Sequence, residues 1–170
     1  MKKDQHKDWV TQYVEEHKEH LIDLPDTPGH ILVILKGHLL VERQINLLLE
    51  AKHPNPDTLK LKERGGPGFF RKVCLLEELI PKPGGIPEFW ELCKKLNDLR
   101  NEFCHELNPN DVKERIDKFT DDVCQIPRQM KEAVSQMDRR DRVQFSIAGI
   151  RYHLMCLARE SIDSMKAART

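Results

Sequence analysis

The chain has 170 residues, a length that suits one domain with a core needing no staples. Lys and Arg number 28 and Asp and Glu number 28, so the formal charge is zero, which argues against a general polyanion binder and leaves only local basic patches. Charged residues make up 33% and no apolar run approaches the roughly 20 residues of a membrane helix, so a soluble, cytoplasmic chain with no membrane segment is expected.

Aromatics at 6% argue against a sheet-rich sandwich. The five cysteines are Cys74, Cys93, Cys104, Cys124 and Cys156. They form no CxxC pair and lie among apolar residues at helical spacing, as buried thiols of a reducing compartment do. The charged start, Met1 to Asp8, leads into no apolar stretch of the kind a signal peptide needs.

The spacing predicts helices nearly throughout. The first runs from about Asp4 to Ile22, with Trp9, Tyr13, Val14, His17 and Leu21 near one face, and its many charges place it at the periphery. Thr27 as N-cap and Pro28 at the first helical position then open a second helix, about Pro28 to Ala51. Apolar residues surround most of its circumference, so it is expected to be central. His53-Pro54-Asn55-Pro56 stops it, and a short helix over Asp57 to Arg64 follows.

Gly65-Gly66-Pro67-Gly68 is a break. Phe69 to Ile80 reads as a helix with Phe69, Phe70, Val73, Leu76 and Leu79 or Ile80 inside. Pro87 opens the next, to about Leu107, with Phe89, Leu92, Cys93, Leu96, Leu99 and Phe103 as its inner line. Asn108-Pro109 starts a helix to about Cys124, and Pro127 breaks the chain again. A long helix from about Arg142 to Ala168 ends it, with Phe145, Ile147, Ile150, Leu154, Met155 and Leu157 as its apolar residues. The fold class is an all-α helical bundle, with residues 1–25 peripheral and residues 26–170 forming the bundle.

The segment from Leu96 to His105 carries the chemistry. Leu96, Leu99 and Phe103 set its buried stripe, and Arg100, Asn101 and His105 sit off it. Arg100 and His105 are about 140° apart on the helix, and the long Arg side chain can bend over Cys104 to the same groove. Such a face offers a fixed cation, an amide and a group titrating near neutrality. Spacing alone is weak, because chance supplies about 0.6 Arg-x4-His matches in a chain of this composition. The bland alternative is an exposed Arg and His suiting the negative end of a helix dipole.

Glu42 strengthens the functional reading. It falls between Leu39, Ile45 and Leu49, so its carboxylate is expected to be partly buried and to need a cation or donor. Arg100 and His105 are the candidate partners, and His38 lies one turn earlier on the same side. The alternative is a structural ion pair, or a head that reaches water.

These residues resemble the HEPN superfamily of small helical-bundle proteins. The marks are Gly37-His38-Leu39-Leu40-Val41-Glu42, Phe70-x-Lys72-Val73 opening a Leu-rich helix, and Leu99-Arg100-Asn101-x-x-x-His105. The Arg-Asn-x-Phe-x-His run is also similar to that of the mannitol-operon repressor family. The resemblance covers about Pro28 to Asn108, extends more faintly to the final helix, and leaves the first 25 residues outside it. It implies metal-independent RNA cleavage of toxin or defence type, by a homodimer whose two motifs face one cleft. Catalytic roles then fall to His105 as general base or acid, Arg100 on the phosphoryl oxygens, Asn101 as a positioning group and Glu42 as the group orienting the pair. RNA and an antitoxin or regulatory protein are the implied partners. The same fold also serves non-catalytic regulatory or protein-interaction modules.

His38, Lys72, Arg139 and Arg140 are the candidate substrate-binding residues. Arg139-Arg140-Asp141-Arg142 is a basic cluster that could touch RNA phosphates, although such runs usually form solvated loops. No metal or other cofactor is expected. The pairs Glu50-x-x-His53 and Glu102-x-x-His105 have di-iron spacing but lack two further inward Glu on other helices. The Gly65 to Gly68 loop lacks the phosphate-cradling order and reads as a breaker. Cys104 and His105 are adjacent and so point apart on a helix, which argues against a nucleophile pair.

Overall fold

The computed structural model describes residues 29–61, 63, 65–86, 88–105, 112–124, 134 and 137–167. These hold five α-helices and no strand: α1 His30–Lys52, α2 Phe69–Leu79, α3 Phe89–His105, α4 Val112–Cys124 and α5 Arg139–Ala167. Short 3-10 turns at Pro56–Leu59 and Pro83–Gly85 join α1 to α2 and α2 to α3. The expected helix at Asp4 to Ile22, the Asn108-Pro109 start and the Pro127 break lie outside the described residues.

The contact between α1 and α5 is the most extensive in the bundle. Val33, Ile34, Val41, Ile45, Leu48 and Leu49 recur at three- and four-residue steps on α1 and form its buried side. Gly37 lies on that side because nothing larger fits. A Cβ there would stand 2.5 Å from Ile147 Cδ1 and 2.9 Å from its Cγ2. Gly37→Leu introduces a good helix former, yet it is expected to lower stability by about 1–3 kcal/mol through overpacking. Ile147→Ala should recover part of that loss. Urea midpoints measure both, and a neutral Gly37→Leu would contradict the close approach.

α1 begins at His30 with Gly29 as N-cap, two residues later than the Pro28 start expected from the Thr27 cap. It ends where His53, preceding Pro54, takes extended backbone. The short helix expected over Asp57 to Arg64 is a single 3-10 turn, closed by Lys60 in the left-handed region. Contrary to expectation, α1 is not enclosed. Ile31, Leu32, Leu39 and Leu47 are exposed, Leu39 to 62%. The more enclosed helix is α5, where four consecutive residues from Phe145 to Ala148 are buried.

α2 buries Phe69, Val73 and Leu76 as one stripe. Phe70, expected inside, is 53% exposed, and Leu79 is exposed while Ile80 packs against the core. An 11-residue helix presents one stripe, and Phe70 lies about 100° from Phe69. All six expected inner residues of α3 are buried, together with Trp90 and Asn97. Trp90 Nε1–H donates to the Ile80 carbonyl at 2.7 Å, satisfying an orphan acceptor just past α2. Burial pushes the Cys93 thiol up and makes it inert.

α5 starts at Arg139, about a turn earlier than expected, because Asp138 caps it. The Asp138 carboxylate accepts the Asp141 N–H at 2.8 Å. Among its expected apolar residues, Met155 is only half-buried and the other five are buried. No described helix is long and apolar enough to cross a membrane.

Candidate functional site

Three helices bring polar residues together beside the core. His38 and Glu42 come from successive turns of α1, Lys72 from the first turn of α2, and Asn97, Arg100 and Asn101 from the second half of α3. Each faces its neighbours because it shares a turn with core residues. Asn97 is four residues from Cys93, and Lys72 is four from Leu76.

The partner of Glu42 is Lys72, not Arg100 or His105 as the sequence led us to expect. Lys72 Nζ donates to Glu42 Oε1 at 2.8 Å. The Lys72 side chain is 5% exposed and that of Glu42 27%, so the ammonium is deep and the carboxylate keeps an edge toward water. The physical reason is that α2 packs directly on α1 and inserts Lys72 beside the carboxylate.

His38 is buried, stacked at 4.2 Å on the Phe69 ring, with Nε2 3.2 Å from Asn97 Oδ1. With the amide oxygen accepting, Nε2 carries the proton. His38 Nδ1 then has no hydrogen-bond partner among the described residues. Burial lowers the His38 pKa; the Asn97 bond and Glu42 oppose the shift, while Arg100 and Lys72 reinforce it. A second buried histidine, His153, behaves likewise. Burial lowers it against Phe89, although its bond to the Pro83 carbonyl and the charge of Glu160 oppose the shift.

Both shifts are downward, so the unfolded chain binds more protons as acid is added. Stability held by the neutral imidazoles is present above about pH 6.5 and is lost as pH falls from there through the folded pKa values. The urea midpoint should therefore drop between about pH 7 and about pH 5. His38→Gln, which can still donate to Asn97, should make that drop smaller. An unchanged slope would argue that His38 binds its proton equally well in the folded and unfolded states.

Arg100 Nη1 donates to Asn101 Oδ1 at 2.8 Å, and no carboxylate pairs with Arg100 among the described residues. Cys104 and His105 are exposed on the last turn of α3. His105 makes no hydrogen bond or ion pair to another described residue. Between Arg100 and His105, Glu102 pairs with Arg115 of α4 at 2.7 Å, fixing the end of α3 against the next helix.

Arg139 and Arg140 stand elsewhere. Arg139 is not in a solvated loop; it opens α5 and forks onto Asp117 of α4, with Nε and Nη2 each 2.9 Å from a carboxylate oxygen. That bond holds the Asp117 carboxyl below its usual range. Arg142 bonds Asp121 of the same helix. Arg139 and Arg142 tie α4 to α5, whereas His38, Lys72 and Arg100 belong to the contact of α1, α2 and α3. Asn97 was not singled out from the sequence, although an amide on the inner line of α3 was the available signal. Among the described residues no three His, Cys, Asp or Glu are grouped to hold a metal ion.

The fold and the site thus define an all-helical bundle with a buried polar cluster beneath an Arg- and His-bearing helix end. No protein-family model matches the chain, and neither a curated protein nor a solved structure matches it.

Proposed function

We propose that the chain is a HEPN-like, metal-independent endoribonuclease of toxin or defence type, acting in the cytoplasm through Arg100 and His105. The observation that carries this reading is the state of the two side chains. Arg100 is bonded to the neighbouring amide of Asn101, His105 is exposed, and neither is consumed by a carboxylate among the described residues. Both remain available to a phosphodiester.

His105 takes the proton of a ribose 2′-hydroxyl as its oxygen attacks phosphorus. The bond from phosphorus to the 5′-oxygen breaks, and that oxygen takes a proton from His105 of the partner subunit in a homodimer. The products are a 2′,3′-cyclic phosphate and a 5′-hydroxyl. Arg100 stabilises the charge that grows on the phosphoryl oxygens, and Asn101 holds Arg100 in place. Glu42 acts through Lys72, which it pairs, rather than by orienting His105.

The second reading is a non-catalytic regulatory or protein-interaction module of the same fold. It draws on the closed pairs His38–Asn97 and Glu42–Lys72, which hold three helices together without a ligand. Purified full-length protein incubated with total RNA and tRNA in EDTA separates the two. Cleavage by the wild type, absent in Arg100→Ala and His105→Ala, is the expected result. No cleavage by a folded protein, or cleavage retained in both variants, overturns the nuclease reading.

A further inference from the structure

The open side of α1 is not a random scatter of apolar atoms. Leu32, Leu39 and Asn46 recur at seven-residue steps, with half-buried Leu35 between the first two. Exposed Leu47 and Ile31 flank the line. This is the seam that a second helix covers. Asn46 Oδ1 lies on the same line, buried and without a hydrogen-bond partner among the described residues. Contiguous exposed leucines on one helix face mark a contact surface.

We infer that the chain's own segment from about Asp4 to Ile22, which its spacing predicts to be helical, docks antiparallel on this face as the first arm of a helical hairpin. The chain reaches α1 directly from that segment, and only about seven residues separate Ile22 from His30, a usual length for such a connection. The helix would be about 28 Å long, enough to span the about 22 Å from Leu32 to Leu47.

The sequence matches in register. With Ile22 facing His30, Leu21 falls beside Ile31 and Leu32. Glu16 then meets Lys36, Tyr13 and Val14 meet Leu39, and Trp9 with Asp8 meets Arg43. His6 falls beside Asn46 and can donate to its orphan oxygen. Leu21, Tyr13 and Val14 thus meet apolar residues, and both exposed cations of the face, Lys36 and Arg43, meet an acid. The partner of the α1 face is therefore a segment of the same chain, and the inference stands whether or not the chain cuts RNA.

The test labels full-length Leu39→Cys with a maleimide and reads each cysteine by peptide mass. Cys104, exposed on α3, serves as the internal reference. Position 39 should label at least about tenfold more slowly than Cys104, as a face open for a tenth of the time or less would. The protection should not depend on protein concentration, and Trp9→Asp with Tyr13→Asp should abolish it. Glu16→Lys, a change at the edge of the seam, should speed labelling, and adding Lys36→Glu should slow it again. Labelling of position 39 as fast as Cys104 overturns the inference. So does protection that fades on dilution, which would assign the face to a second copy, or protection indifferent to the Trp9 and Tyr13 changes.

Discussion

Glu42→Ala is expected to destabilise the protein by about 3–5 kcal/mol, although the carboxylate it removes is not fully buried. The cost arises at the other end of the pair. Lys72 is 5% exposed, so its ammonium would keep its burial and lose its only described anionic partner at 2.8 Å. Lys72→Met should cost clearly less. It replaces the lysine stem with an apolar one of similar length, and the Glu42 head left behind can turn toward water. The double variant Glu42→Leu, Lys72→Met should lie close to the wild type, because an apolar pair needs no desolvation of charge. Urea denaturation of the four proteins completes the cycle. A Glu42→Ala effect below about 1 kcal/mol would contradict a buried Lys72, since that is the range of exposed pairs.

In the RNA assay, Arg100→Ala and His105→Ala should each lower the cleavage rate by about 10²–10⁴-fold, the usual worth of a positioned general base or of a charge-stabilising donor. Arg100→Lys should rescue little. A lysine keeps the charge but cannot both donate to Asn101 and present a second N–H to a phosphoryl oxygen in one plane. Glu42→Gln is the informative control. If Glu42 oriented Arg100 and His105, its loss would match theirs in rate. Because its carboxylate is bonded to Lys72, Glu42→Gln should instead lower stability while leaving most of the cleavage rate of the folded protein. A rate loss equal to that of His105→Ala would restore the orienting role.

Much of the fold was legible from local rules. Helical spacing located α1, α2, α3 and α5, and the inner line of α3 was right at all six positions. Those positions repeat every three or four residues, and a helix on a core must bury that stripe. The helix starts were less legible. The Asp138 cap was available in the sequence, yet the arginine cluster after it read as a loop. The cluster instead became the first turn of α5 because Asp117 and Asp121 on α4 take its guanidinium groups.

For the site, the sequence by itself placed Arg100, Asn101 and His105 on one helix end, since that depends only on spacing along α3. It also marked Glu42 as a carboxylate in need of a cation. Which cation answers was decided by the tertiary structure. Lys72 is 30 residues away, and only the packing of α2 on α1 sets its ammonium beside Glu42 ahead of Arg100. The same holds for His38, whose partner Asn97 lies 59 residues on, and for the open face of α1. Its exposed leucines are as apolar as its buried ones, so periodicity could not tell the side facing α5 from the side left uncovered. Pairing of charges and choice of face both depend on which helices meet, and that is a property of the assembled bundle rather than of any one segment.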